Sequence, residues 1–242
     1  MNTPIFPILM YHSIQKMPKG SVMRSLNVPP KRFKLQMYLL KLLGYRGVSI
    51  GELHHHLLSG KPEKLVGISF DDGYKNNLTN ALPILKKFGF SATIYLVSDN
   101  IGGSNNWDND KGISQHQLLN DVEINQWVSS GMEIGSHTQT HVDLTKCNSK
   151  NSFKEITKSK ADLESRFDTT INHFCYPYGQ FNDEIIAIIE KAGYLTATTT
   201  SRGRSTGMSN LFLLPRVQIT HHTLPYLFIL KILTKYEDRR SR

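Results

Sequence analysis

Short apolar runs and helical stretches take turns along this chain, and that alternation is the strongest constraint on its fold. Ile5–Met10, Val66–Phe70 and Ala92–Val97 are apolar runs of strand length, and Lys31–Leu43 and Asn77–Phe88 between them carry helical spacing. Strand–helix–strand units set successive strands parallel, with each crossover helix lying against the sheet. Local signals agree with the periodicity. Pro30 suits the first turn of a helix in which Phe33, Met37, Leu40 and Leu43 recur on one face, and Gly44 is placed to cap its end. Pro83 falls early in the second helix and Gly89 closes it. Farther on, the pattern predicts helices over Asp121–Ser130, Ser152–Phe167 and Asp183–Ala192, and strands over Glu133–Ser136, Phe174–Tyr176 and Ala197–Thr200. About six or seven β/α units result, the content of one α/β barrel. Ile101–Gly112, rich in Gly, Asn and Asp, reads as a surface loop.

At 242 residues the chain can core one barrel fully, so a single domain over residues 1–242 is expected, with a basic C-terminal helix and tail from about residue 223. Cys147 and Cys175 are its only cysteines, too few for a disulfide framework or a thiolate zinc site. Any metal site must therefore draw on His and carboxylates. The net charge of +9 sits at the ends: residues 1–60 hold eight Lys and Arg against Glu52 alone, and residues 231–242 hold five against Glu237 and Asp238. Basic ends attract nucleic acid, anionic lipid headgroups or phosphate-linked substrates, or simply stay solvated, and composition does not choose. No basic segment leading to a cleavage site opens the sequence, so the expected compartment is cytoplasmic. Leu224–Leu233 is apolar but contains Lys231 and falls far short of the ~20 residues of a spanning helix, which predicts a packed or interfacial helix.

Catalytic groups of a parallel barrel collect where strands end. Val66–Phe70 runs into Asp71-Asp72-Gly73, and Glu133–Gly135 into Ser136-His137 with His141 four residues beyond. Phe174–Tyr176 runs into Pro177-Tyr178-Gly179, and Ile8–Met10 into Tyr11-His12. Adjacent carboxylates at a strand end face different sides, so one can bind a metal while the other meets substrate or water. His137 and His141 have the spacing that brings two imidazoles to one cation from a turn. With one carboxylate they make a set that leaves an open coordination position, the mark of a catalytic rather than a structural zinc. Taken singly, Asp71-Asp72-Gly73 is a turn sequence and a His-x₃-His is ordinary surface; together at strand ends they read as a site. His54-His55-His56 lies inside a helical pattern after Glu52 and reads as a solvated helix face.

Three segments carry a family resemblance. SFDDG (Ser69–Gly73), EIGSHTQTH (Glu133–His141) and FCYPYG (Phe174–Gly179) resemble the first three motifs of the polysaccharide deacetylases, carbohydrate esterase family 4. The opening ILMYHSI, followed by VPPKRFKLQMYLLKLLGYRGVSIGEL, is similar to the branch that contains the poly-N-acetylglucosamine deacetylases. The resemblance implies an α/β fold, a distorted (β/α)7 barrel, circularly permuted relative to most of the family. It also implies a metal-dependent enzyme that removes acetyl groups from N-acetylated or O-acetylated sugars. On it, Asp72, His137 and His141 hold one divalent ion, Zn2+ by preference, and Asp71 is the general base toward the attacking water. The Tyr178 backbone N–H helps hold the oxyanion. His12 is the acid that protonates the departing amine.

The departures from the pattern matter as much. The third motif of the family begins with an arginine that orients the base, and Cys175 stands there instead. Arg216, in Leu214-Pro215-Arg216 at another strand end, is the candidate replacement, with a surface or purely structural arginine as the alternative. No Asp-x-x-Asp-Trp segment is found, because Asp108 follows Trp107. His221 is the second choice for the acid, and Cys175 itself reads as packing rather than as a nucleophile. The expected function is metal-dependent hydrolysis of N-acetyl groups on N-acetylhexosamine units of a glycan or a lipid-linked glycan precursor. An O-acetyl sugar esterase and an inactive glycan- or protein-binding barrel are the alternatives. Nucleic acid is not an expected partner, while the basic ends and Leu224–Leu233 suit peripheral contact with a membrane face.

Overall fold

The computed structural model describes residues 4–240. Seven parallel strands close a barrel: β1 (Ile8–Tyr11), β2 (Leu65–Phe70), β3 (Thr93–Leu96), β4 (Glu133–Ser136), β5 (His173–Cys175), β6 (Thr196–Arg202) and β7 (Leu214–Gln218). Their order around the barrel follows the chain, and β7 pairs with β1 to close it. Seven helices accompany them: α1 (Pro30–Leu42), α2 (Ile50–Ser59), α3 (Leu82–Phe88), α4 (Asp121–Ser129), α5 (Ser149–Phe167), α6 (Asp183–Lys191) and α7 (Pro225–Leu233). This is the (β/α)7 barrel that the alternation and the motifs lead one to expect. A short strand, Arg46–Val48, extends the sheet beside the first half of β2, and Ile5–Phe6 pairs antiparallel with Ser205–Thr206.

The two-residue period of β2 sorts its side chains. Val66, Ile68 and Phe70 belong to the main core that α1, α3 and α4 cover, with Phe33, Met37, Leu82 and Trp127. Leu65 belongs to a second cluster, with Ile8, Tyr95, Cys175 and Leu214, that fills the barrel itself. α2 closes the N-terminal mouth by seating on Gly67, where a Cβ would fall 2.9 Å from Leu53 Cδ2 and 3.2 Å from Ile8 Cγ1. By the same alternation Ser69, and then Asp71, turn inward toward the open C-terminal mouth.

Two helix readings of the sequence need correction. Asn77–Phe88 is not one α-helix: a π turn over Asn77–Ala81 precedes α3, with Pro83 in the first turn of the latter. Proline has no N–H to donate to the preceding turn, and widening that turn accommodates the loss. The three histidines of α2 also part company, for His55 is exposed while His54 is buried, its ring centroid 6.2 Å from that of His173. No helix among the described residues is long and apolar enough to cross a membrane.

Buried charge ties the C-terminal segment back to the barrel. Glu237 is fully buried and accepts from Arg202 Nε at 2.8 Å, from Arg202 Nη2 at 2.9 Å and from Lys231 Nζ, while Arg204 pairs with Asp238. Burial alone would raise the Glu237 carboxyl, but its hydrogen bonds to Arg202 and Lys231 and their charges outweigh burial and hold it below the ordinary glutamate value. A carboxylate with a depressed folded-state pKa contributes stability that is complete above its unfolded value, ~4.3, and is lost as pH falls through the folded value. Glu237→Ala should therefore cost about 3–5 kcal/mol at neutral pH, because Lys231 loses its partner in a buried place and the partly exposed Arg202 loses its own. Denaturant titrations should show the gap to the parent protein narrowing as pH drops below ~4. A variant as stable as the parent at pH 7 would show that this cluster does not secure the tail.

Candidate active site

Strand register assembles the site. β1 pairs with β2 in the register Tyr11 to Phe70, so the next residues, His12 and Asp71, emerge side by side, with His12 Nε2 3.8 Å from Asp71 Oδ2. β3 pairs with β4 through Leu96 and Ser136, and β4 pairs with β5 through Ser136 and Phe174. His137 follows Ser136 and donates from Nδ1 to the Cys175 carbonyl, 2.7 Å away. That bond fixes the tautomer whose Nε2 carries a lone pair.

His137 Nε2 and His141 Nε2 both face Asp72 Oδ1, at 3.5 and 3.3 Å. Two ligands on one tetrahedral ion with bonds of ~2.0–2.1 Å stand about 3.3 Å apart. The three donor atoms lie within 4.8 Å of one another, and all three residues are buried. The donor set therefore fits a divalent ion in size and in chemistry: one carboxylate oxygen and two imidazole nitrogens, with room for exchangeable ligands. His141 is steadied on three sides. Its Nδ1 lies 3.2 Å from the Tyr178 hydroxyl, the Trp107 ring stacks on it with centroids 4.5 Å apart, and its backbone N–H donates to Thr138 Oγ1 at 3.0 Å.

Holding this cluster strains the backbone. Asp72, Thr138, His141 and Tyr178 all have positive φ, between 57° and 72°. Such conformations are uncommon outside glycine and cost of order 1–3 kcal/mol each. In Asp72 the left-handed turn ends the inward strand and swings its carboxylate to the histidines, while Asp71 stays in line. Gly179 has the same positive φ, and no side chain fits there, since a Cβ would lie 1.9 Å from Thr200 Oγ1.

Asp71 meets Arg216, as the missing arginine of the third motif required. Arg216 Nη1 donates to Asp71 Oδ1 at 2.7 Å and Nη2 to Oδ2 at 2.8 Å, a two-pronged pair with both side chains buried. Arg216 Nη2 also lies 3.3 Å from Cys175 Sγ, so the guanidinium from β7 reaches the place where Cys175 leaves room. Burial would raise the Asp71 carboxyl, but the Arg216 charge and hydrogen bonds, with smaller help from His12 and His137, hold it below the ordinary aspartate value.

A cleft of about 430 Å³ opens above these groups. Asp71, Asp72, His12, His137, His141 and Tyr178 all line it, and His221 does not. His221 instead donates its backbone N–H to Ser25 and packs against His222. The Ile101–Gly112 reading as a plain surface loop needs revision, because its 3-10 turn Asn106–Lys111 builds one wall of the cleft. Trp107 covers His141, and Lys111 donates to the Tyr178 hydroxyl at 3.2 Å. The sequence reading missed the Tyr178 phenol, Trp107, Lys111 and Thr138. The aromatic residue in an otherwise polar insertion was the one available signal.

Residues 59–197 match the family described as polysaccharide deacetylase. YxkH of Bacillus subtilis (strain 168), whose name places it among polysaccharide deacetylases, is 33% identical over 216 residues, which cover 88% of this chain and 71% of that protein. The poly-beta-1,6-N-acetyl-D-glucosamine N-deacetylase of Staphylococcus aureus (strain MRSA252) is 27% identical over 213 residues, 84% of this chain and 71% of that one. Among solved structures, the Streptococcus pyogenes deacetylase PplD in complex with acetate superposes with a TM-score of 0.83 at 25% identity, covering 96% of this chain and 99% of that one. This chain belongs to the polysaccharide deacetylase family. It is a deacetylase enzyme with the barrel of that family.

Arg216→Met should destabilise the fold by about 3–5 kcal/mol, because it strands a buried carboxylate without its counter-charge. Combining it with Asp71→Leu should recover most of that loss in a denaturant melt, since both charges are then gone; a single variant as stable as the parent would show that the pair carries no such weight. Tyr178→Phe, which removes only the hydroxyl facing His141, should weaken divalent metal binding about tenfold in a chelator-competition titration. Unchanged affinity would mean that the phenol does not orient that imidazole.

Proposed function

We propose that this enzyme hydrolyses N-acetyl groups on N-acetylhexosamine units of a glycan, with Asp72, His137 and His141 as metal ligands, Asp71 as base and His12 as acid. The observation that carries the reading is the juxtaposition of the Asp72–His137–His141 donor set with an arginine-bound carboxylate and an imidazole 3.8 Å from it. Membership of a polysaccharide deacetylase family and similarity to poly-N-acetylglucosamine deacetylases support the choice of substrate class.

Asp72, His137 and His141 would hold a divalent ion, Zn2+ by its fit to one carboxylate and two imidazoles, which when bound would supply Lewis acidity. Asp71, kept ionised by Arg216, accepts a proton from the attacking water at a carboxylate oxygen. Arg216 fixes the direction of those oxygens without touching substrate. The backbone N–H of Tyr178, held at φ 57°, donates to the oxyanion as the acetyl carbon becomes tetrahedral. His12 then delivers a proton from Nε2 to the departing amine nitrogen. An amide's leaving group needs that proton more than an ester's alkoxide does.

Acetate release decides the matter. Protein stripped with a chelator and reloaded with zinc should release acetate from N-acetylated oligosaccharides, faster than from O-acetylated ones, and stripped protein should not. His12→Ala should lose amide hydrolysis by ~10²–10⁴-fold and keep more activity on an activated acetate ester. Equal loss on both substrates removes His12 from the role of acid. A preference for O-acetylated sugar makes the enzyme an esterase.

A further inference from the structure

α7 is built inside out. Its one charged residue, Lys231, points inward to the Gln218 carbonyl at 2.7 Å and to Glu237, beside buried Phe228 and Ile232. Its outer face is wholly apolar: Tyr226 is 69% exposed, Leu230 37% and Leu233 46%, with Leu227 and Ile229 half-buried beside them. α1 lies alongside, joined through Gln36 Nε2 to the Thr223 carbonyl at 3.4 Å, and it too turns apolar residues outward, with Leu35 at 40% exposure, Tyr38 at 51% and Leu42 at 66%. A soluble helix normally keeps its charge on the outside. Adjoining exposed apolar stripes on two neighbouring helices make a patch that calls for a partner.

The rim names the partner. Lys31, Lys34 and Lys41 stand exposed on α1, and Lys235, Arg239 and Arg240 follow α7. α1 contains no acidic residue, and the two acids after α7 are already engaged, Glu237 with Arg202 and Lys231 and Asp238 with Arg204. The patch is thus apolar at its centre and cationic at its edge. A second copy of the chain would bring one cationic rim against another. An anionic lipid surface complements both parts at once, by taking apolar side chains among its headgroups and basic ones against its phosphates.

We propose that the α1–α7 face docks this enzyme on the surface of an anionic lipid bilayer. The segment with Val22, Met23 and Leu26 lines the cleft and is tied to the residues that lead into α7 by the hydrogen bond from His221 N–H to the Ser25 carbonyl, so the cleft borders this flank. Docking there sets the cleft mouth close to glycan held at a membrane. The proposal does not depend on which acetylated sugar is cleaved.

Vesicle co-sedimentation of the whole chain tests it, using phosphatidylcholine vesicles with and without about 30 mol% phosphatidylglycerol. The protein should pellet with the anionic vesicles and be released by raised salt. Leu230→Glu with Leu233→Glu, and separately Lys235→Glu with Arg239→Glu, should each weaken binding about tenfold or more while thermal midpoint and metal binding stay at parental values. Failure to pellet overturns the proposal, and so does equal binding to vesicles of phosphatidylcholine alone. A dimer in sedimentation velocity that Leu230→Glu dissociates overturns it in favour of a second copy as the occupant.

Discussion

A guanidinium with no contact to solvent must have its charge and all five of its N–H groups answered by protein, and Arg216 meets that condition. Its Nε donates to the Thr199 carbonyl, Nη1 to Ser69 Oγ and Asp71 Oδ1, and Nη2 to Asp71 Oδ2 and Cys175 Sγ. These partners come from β2, β5 and β6 and the arginine itself from β7. One side chain therefore reports whether the barrel has closed in register. If β7 slipped by one residue, the arginine would turn away from the interior and leave Asp71 a buried, unpaired carboxylate.

The same closure carries the strain of the Asp72–His137–His141 donor cluster. Left-handed turns at Asp72, Thr138, His141 and Tyr178 are each unfavourable alone; Asp72, Thr138 and Tyr178 sit within three residues of a strand end, and His141 in the loop that follows β4. The Thr138 hydroxyl donates to the His137 carbonyl and accepts the His141 N–H, so the turn between the two imidazoles is braced from within. Trp107, Tyr178 and Lys111 brace it from above. These braces hold the Asp72, His137 and His141 donor atoms within 4.8 Å of one another.

How much of this was legible beforehand follows from what each feature depends on. The barrel could be read because its signal is local and repeated: apolar runs of strand length, helical periodicity and capping glycines recur along the chain. Strand ends could be read for the same reason, and they yielded Asp71, Asp72, His12, His137, His141 and Tyr178. Arg216 was reachable only by asking what answers a carboxylate when Cys175 cannot. Trp107 and Lys111 stayed hidden because their roles depend on how a long polar loop folds back over the barrel, and neither periodicity nor spacing encodes that path. His54 departs from the solvated-face pattern because a helix's exposed face cannot be told from its sequence when another buried imidazole, His173, lies behind it. The split of Asn77–Phe88 leaves no mark in the periodicity because a π turn differs from an α turn by a single hydrogen-bond step.

Cys175 shows why position in sequence is a weaker guide than position in space. What the buried Asp71 carboxylate needs is a guanidinium in the barrel interior, planar to it and shielded from water; it does not need that guanidinium to come from β5. A small side chain at 175 leaves the volume, and β7 enters the interior next to β6, which is next to β5, so a long side chain from Arg216 spans the gap. The exchange has a consequence for substitution. An arginine restored at 175 would meet Arg216 in the same space, and two buried guanidinium charges beside a single carboxylate cannot both be neutralised. Each position is therefore free to vary only with the other, and a chain lacking the arginine of the third motif still pairs its buried carboxylate as long as the strand that closes the barrel supplies a guanidinium.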